Sequence, residues 1–386
     1  MPQPRFCRNL KCGNSREKPP AGWYTRAGTY STIAHGEVQR YCCKSCGRYL
    51  SDQTESMHYY AKRRLRLHEI LSRLRGGSSM RDIGREMGCS RTAIANVALR
   101  LGRQAMGSHA SLLCGHELSG TLCFDGLVSA ITSRDYPSQI TTLGDSKLEL
   151  VLAMTHCVTE RGGTRTPAQL KRIAARRAVW SPAEGSLTRS IALLVNELTR
   201  FAGPSALHID IDEHPIYEQV IGADLALGWY RDAALLTVER TSGKAARTVA
   251  NPLFFVNYID RMIRHRMKEH TRESIALGRN ATMQMHRMWI FAWDHNTRQP
   301  ARVKCVDDPS RVEQAGVSVK AVRSVEREFY TRRISLRGIP MRESMRQVWL
   351  AELDSPPVRW KKGQKRRGPR VPDYAKLDLK FANQEG

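Results

Sequence analysis

Two pairs of cysteines near the N-terminus constrain this 386-residue chain more than any other feature. They are Cys7-x4-Cys12-Gly13 and Cys43-Lys44-Ser45-Cys46-Gly47, separated by a polar segment that contains Pro19, Pro20, Gly22 and Gly28. A tetrahedral zinc site needs two thiolate pairs, each on a tight turn whose following glycine lets backbone amides approach sulfur. The spacing therefore predicts a zinc ribbon over residues 1–56, with Cys7, Cys12, Cys43 and Cys46 as ligands. Cys42 adjoins Cys43 and is an alternative ligand.

The N-terminal Met-Pro-Gln-Pro-Arg-Phe-Cys has no apolar run resembling a signal peptide, which predicts a reducing compartment and metal-bound or free thiols rather than disulfides. The longest apolar runs, such as Leu148 to Met154 and Ile191 to Val195, are far short of the roughly 18–20 residues a membrane span requires. Lys and Arg total 62 against 37 Asp and Glu, a formal charge of +25, which favours a polyanionic partner. With membrane spans excluded, nucleic acid is that partner and the expected location is cytoplasmic and nucleoid-associated. The length suits one sizeable core with smaller modules.

After the ribbon the pattern turns helical. Leu65, Leu67, Ile70, Leu71 and Leu74 mark a first helix from about Tyr60, ending at Gly76-Gly77. Ser79 begins a short helix over Met80 to Met87, Gly88 makes a turn, and Ser90 caps a helix from Arg91 to about Arg103. Counted from Met80, Ile83, Gly84, Gly88, Ile94 and Val97 occupy positions four, five, nine, fifteen and eighteen, the packing positions of a helix-turn-helix. This predicts an all-α DNA-binding domain over 57–106, with Arg91, Thr92, Asn96 and Arg100 facing the major groove of double-stranded DNA.

A break near Gly107 to Gly115 leads into alternating strands and helices, which argues α/β. Gly120 to Asp125 reads as a strand ending in a carboxylate, Leu148 to Val158 as a buried strand, and Ala206 to Asp212 as a strand ending in carboxylates. Between and after them fall a basic helix over Pro167 to Arg177, an amphipathic helix over Ser190 to Phe201, a long helix over Asn257 to Gly278, and another over roughly Thr282 to Trp293. The expected architecture is an α/β core over 116–300, followed by a basic extension over 301–386. Its tail is expected to be disordered from about 355 and to use the Arg359 to Arg370 basic run for phosphate contact.

Two-metal phosphodiester chemistry needs carboxylates that converge from separate elements. Asp125, Asp212 and Asp260 stand in that order, at separations typical of a ribonuclease-H-like core. Asp210 competes with Asp212, because strand alternation puts both on one face. Glu269 and Glu273 compete with Asp260, but Glu269 lies half a turn away on a continuous helix. Asp260 flanks the apolar stripe of Ile259, Ile263 and Met267, where a ligand at the edge of a core-facing helix belongs. Arg261 and Arg264 are further candidates for DNA contact near these acids.

Together these features resemble the zinc-ribbon-bearing insertion-sequence transposases of bacteria and archaea, which have a DDE-type catalytic core. The resemblance rests on Arg40-Tyr-Cys-Cys-Lys-Ser-Cys-Gly-Arg48, on Asp212-Glu-His-Pro-Ile-Tyr217, and on Tyr258-Ile-Asp-Arg261 followed by His270-Thr-Arg-Glu-Ser274 and Arg279-Asn280. It implies that Asp125, Asp212 and Asp260 bind magnesium, that water cleaves the element ends, and that the freed 3′ hydroxyl carries out strand transfer in a homodimer or larger assembly. The chain departs from the pattern at its last acid, Asp rather than Glu, and after Asp125, where Gly-Leu-Val-Ser offers no second acid. A non-catalytic DNA-binding regulator with the same two N-terminal modules is the alternative reading.

Overall fold

The computed structural model describes residues 3–16, 18–116, 118–198, 206–302, 305–339, 341–358 and 370–382. Among these residues the chain is a mixed α/β protein with two sheets. Near the N-terminus a one-turn helix α1 (Gly13–Arg16) precedes strands β1 (Tyr24–Thr32), β2 (Gly36–Cys43) and β3 (Tyr49–Ser51). These form an antiparallel sheet in that order, with Tyr24 opposite Cys43 and Arg40 opposite Ser51. Its core is small: Trp23, Tyr41 and Leu50 gather round buried Cys7, Cys12 and Cys43.

Three helices follow: α2 (Leu67–Arg75), α3 (Met80–Glu86) and α4 (Arg91–Leu113). Helix α2 starts later than expected, after Tyr60 with φ +56°, and buries Leu67, Ile70, Leu71 and Leu74. Ser79 and Ser90 cap α3 and α4, accepting from the Asp82 and Ala93 amides, which satisfies donors that a helix start leaves orphaned. Gly84 is required for the crossing, since a Cβ there would lie 2.8 Å from the Cys89 carbonyl oxygen.

Helix α4 does not stop near Arg103. It continues to Leu113, because Gly102 and Gly107 serve as packing sites rather than as breaks. A Cβ at Gly102 would lie 2.6 Å from His286 Cβ, and one at Gly107 would lie 2.4 Å from Ile334 Cγ2. The module expected to end at 106 is thus continuous with the core.

The second sheet comprises β4 (Thr121–Ile131), β5 (Ser133–Asp145), β6 (Leu150–Val158), β7 (Leu207–Asp212) and β8 (Leu236–Thr241). Its order is β6-β5-β4-β7-β8; the first three strands are antiparallel neighbours, while β7 runs parallel to both β4 and β8. Helices α5 (Pro167–Arg177) and α6 (Ser186–Leu198) lie between β6 and β7, and α7 (Pro215–Ala223) and α8 (Leu225–Asp232) connect β7 to β8. Strand β4 runs six residues past Asp125, so that acid is mid-strand rather than terminal. Part of the amphipathic helix expected to reach Phe201 lies outside the described residues.

The last part begins with α9 (Phe254–Arg266), which ends well short of Gly278 because Met267 turns extended, at φ −117° and ψ 99°. A 3-10 turn (Lys268–His270) and α10 (Ala281–Thr297) follow; every α10 residue except Met283 and Arg287 is buried. Then come α11 (Arg311–Gln314), α12 (Val319–Glu328), α13 (Glu343–Trp349) and α14 (Asp373–Ala382). Helix α14 corrects the expectation of a tail disordered from about 355: its Phe381 is buried edge-on against Phe6, and its Asp378 binds Arg8 at 2.7 Å. The basic run expected at Arg359 to Arg370 lies outside the described residues apart from Arg370. Among the described residues no helix is long and apolar enough to cross a membrane.

This packing sets two expectations for stability. Gly102→Ala gains about 1 kcal/mol of helix propensity, but it forces the His286 backbone to move at an overpacking cost of about 1–3 kcal/mol. The expected net result is a Tm lowered by a few degrees in a thermal melt, and an unchanged or raised Tm would refute the tight crossing. The second concerns His109, His270, His286 and His295, whose burial lowers them to about 3, and His156, lowered to about 4. Because the unfolded chain takes up these protons first, this stability is complete above about pH 6.5 and is lost as pH falls towards 3, at about 1.4 kcal/mol per pH unit per histidine. Urea midpoints should drop steeply between about pH 6.5 and 5.

Candidate functional site

The first site is the thiol cluster. Cys7, Cys12, Cys43 and Cys46 place their sulfurs within 4.8 Å of one another, with Cys7 Sγ 3.5 Å from Cys46 Sγ and Cys12 Sγ 3.8 Å from Cys43 Sγ. Zinc–sulfur bonds of about 2.3 Å at tetrahedral angles put sulfurs about 3.8 Å apart. The four residues predicted as ligands are therefore brought together, and the group can hold a zinc ion. Cys42 is excluded, because its thiol points to the Gly47 carbonyl at 3.5 Å.

The sequence also explains the geometry around the thiols. The Asn9 amide donates to Cys7 Sγ at 3.5 Å and Asn14 Nδ2 donates to Cys43 Sγ at 3.4 Å, while Gly47, at φ +67°, closes the second turn. Burial pushes Cys7 and Cys12 up. Burial also pushes the Cys43 thiol up, but the hydrogen bonds from Asn14 and from the Cys46 and Ser45 amides outweigh it and bring Cys43 down to about 6. These hydrogen bonds favour the thiolate of Cys43, the form that binds metal.

The second site gathers the three predicted aspartates. Phe124 pairs with Ile211 in the parallel β4–β7 ladder, so the following Asp125 and Asp212 stand side by side on one face of the sheet. Asp260 approaches from α9, and all three acids are half-buried. Asp125 is pushed up by burial and by Asp212, against the pull of the Gly126 amide, which donates to its Oδ1 at 2.6 Å. Burial and the charge of Asp125 push Asp260 up to about 8 despite Arg264 and Arg247 nearby. The carboxylates are close enough to repel, yet their oxygens do not all fall within 4.8 Å of one another.

The competing acids are engaged elsewhere. Asp210 accepts from His208 Nε2 at 2.9 Å and forms, with Glu239, a separate group of three that can approach one ion. Because α9 ends early, Glu269 belongs to the 3-10 turn and pairs with Arg287 at 2.7 Å. Glu273 lies beyond that turn, exposed and at φ +62°.

Of the residues expected to face DNA, Arg91, Thr92 and Asn96 are exposed on the first turns of α4. Arg100 is not free for that role: its guanidinium donates to the Met57 carbonyl at 2.8 Å and the Tyr59 carbonyl at 2.5 Å, tying α4 to the end of the ribbon. Arg261 is exposed, whereas Arg264 donates to the His270 and Val128 carbonyls at 3.3 Å.

Sequence reasoning missed the groups that surround the aspartates. Tyr217 is buried with its hydroxyl under the influence of all three acids and accepts from Gln139 Nε2 at 3.4 Å. Its only sequence signal is its place five residues after Asp212. Gln139 lies on β5, a strand that was not expected, and packs where Gly126 leaves room for it. No protein-family model matches this chain, and no curated protein is detectably similar to it.

Because Arg8, next to Cys7, pairs with Asp378, zinc removal should loosen both ends of the chain. The expected result is one zinc per chain by elemental analysis. On chelation, hydrogen exchange should rise across β1–β3 and α14 while β4 and β7 stay protected. Unchanged exchange in β1–β3 after verified zinc loss would refute a structural metal.

Proposed function

We propose that this chain is a transposase of the insertion-sequence type, with a ribonuclease-H-like core that cleaves and joins DNA at element ends. The observation that carries this reading is the convergence of Asp125, Asp212 and Asp260 from three elements far apart in sequence. The strand order, with three antiparallel strands followed by two parallel to β4, supports the same core. The thiol cluster and the exposed start of α4 support the two DNA-binding modules expected ahead of it, with double-stranded DNA as partner and a homodimer or larger assembly as the working form.

Three crowded, half-buried carboxylates, one of them pushed up to about 8, form a donor set suited to hard divalent cations such as magnesium. Asp125, Asp212 and Asp260 would hold them, and two such ions about 3.5–4 Å apart are what phosphodiester chemistry of this kind uses. When bound, such a pair supplies Lewis-acid stabilisation to the attacking and leaving oxygens. The chain's own residues do the rest. Gly126 and Glu213 amides orient the Asp125 and Asp212 carboxylates at 2.6 and 2.7 Å. Arg247 and Arg264 bring positive charge close to Asp260. Gln139 holds the Tyr217 hydroxyl, leaving the phenol proton to point elsewhere than at its own donor.

The test is to incubate the full chain with its flanking genomic DNA, with magnesium or with EDTA, and to map strand breaks. Asp125→Asn, Asp212→Asn and Asp260→Asn should each cut cleavage by about 10³-fold or more, on the order of a lost charge-stabilising group or worse, while duplex binding persists. Tight, specific binding without breaks at any magnesium concentration would overturn the catalytic reading in favour of a DNA-binding regulator.

A further inference from the structure

The segment 159–185, between β6 and α6, contributes little to the core: of the α5 residues only Ile173 is buried. It is nevertheless firmly attached. Thr166 and Gln169 close a capping box at its start, the Tyr136 hydroxyl donates to the Arg176 carbonyl at 3.1 Å, and Tyr136 packs edge-on against Trp180. A rigidly held helix with one buried residue is built to present its outer face.

Along the edge where this segment meets β5, its arginines cluster. Asp135, only 8% exposed, lies 3.0 Å from Arg161 Nη1, 3.1 Å from Arg176 Nε and 3.7 Å from Arg172 Nε. One carboxylate neutralises one of three guanidiniums, so it fixes their positions and leaves an excess of positive charge. Arg176 also lies over the Tyr136 ring at 5.6 Å. Lys171 is exposed beside Arg172, whereas Arg177 is matched by Glu160 at 3.0 Å. Guanidiniums held in a fixed fork suit phosphate oxygens, which they bind bidentately.

The position of this cluster relative to the acids points to its ligand. From Asp125, β4 runs six residues to Ile131 and turns at Thr132 into β5, near whose start Asp135 lies. At about 3.3 Å per residue this places the cluster about 20 Å beyond the acids. With one charge per about 1.7 Å of duplex, about 20 Å corresponds to roughly six base pairs.

We propose that α5 is a phosphate clamp that grips the backbone of duplex DNA roughly half a helical turn from the bond being cleaved. This rests on the reading of the chain as a DNA-processing protein and adds a binding surface distinct from the start of α4. Arg161, Arg172, Arg176 and Lys171 grip the phosphates, and Asp135 and Tyr136 hold them in place.

The test uses the zinc-loaded full chain and a mixed-sequence DNA duplex, with fluorescence anisotropy between about 50 and 200 mM salt. Lys171→Gln combined with Arg172→Gln removes two exposed cations; a thermal melt checks that the fold is kept. The slope of log affinity against log salt should become shallower by about 1.8, at about 0.9 for each phosphate no longer neutralised. A control pair with the same charge loss, Lys320→Gln with Arg323→Gln on exposed positions of α12, should leave the slope unchanged. A wild-type chain that binds no duplex overturns this inference and the proposed function together. Wild-type binding with an unchanged slope in the α5 variant, or an equal change in the control pair, overturns the clamp alone.

Discussion

The packing of α4 against α10 is the interaction on which the rest of the structure depends. Gly102 lets the two helices approach until a single added Cβ would strike His286, and α10 is buried along nearly its whole length. Its far end then completes the sheet. Asn296 takes both the amide and the carbonyl of Val151, His295 bonds the Glu149 carbonyl, and His109 from α4 shares the Val151 carbonyl. Strand β6 is the edge of the sheet, and these side chains occupy edge groups that would otherwise be open to pairing with another chain. One buried helix thus fixes the sheet edge and the three-helix module together, so α4 cannot pivot independently of the strands that carry the acids.

The excess of positive charge is only partly available for binding. Arg311 is buried and directs its guanidinium to the His295, Pro300 and Ala301 carbonyls and to Glu149. Arg103 bonds the Trp349 carbonyl, and Arg75 and Arg266 both reach the fully buried Asp294. Arginine suits this work because its five donors can satisfy several carbonyls at once while its charge persists. Net charge therefore overstates the cationic surface open to a partner, and location matters more than number: Arg91 is exposed at a helix start, while Arg100, nine residues on, is a structural tie.

What could be read from the sequence was what local rules govern. The cysteine pairs, the serine caps at Ser79 and Ser90, the Gly84 crossing and the span of α5 follow from spacing and capping chemistry, and each is found where that chemistry puts it. Strand β5 was invisible because Ser133 to Asp145 is polar, contains Pro137 and gains its pairing only from β4 and β6 on either side. The ends of α4 and α9 were misjudged for opposite reasons. Glycines in α4 suggested a break but serve packing, and a helical pattern after Arg266 suggested continuation where Met267 adopts an extended backbone. The three aspartates could be picked out by their order along the chain, although Asp125 is mid-strand rather than terminal; the neighbourhood of Tyr217 and Gln139 could not, because it is created by tertiary packing.

The two ends of the chain form one further unit that neither end could specify alone. Arg8, one residue after Cys7 of the thiol cluster, lies against the rings of Phe6 and Phe381 at 4.8 and 5.5 Å and pairs with Asp378. Arg333 approaches the same carboxylate at 3.7 Å, stacks on Tyr374 at 4.1 Å and donates to the Thr54 carbonyl. Two buried arginines around one aspartate, with Glu55 at 3.7 Å from Arg8, are costly to desolvate unless every partner is present, so the arrangement adds specificity more than stability. A ribbon with only a handful of buried side chains gains a second anchor in this way. Because Arg8 adjoins Cys7, anything that fixes the thiol cluster also fixes the residue that holds the last helix of the chain.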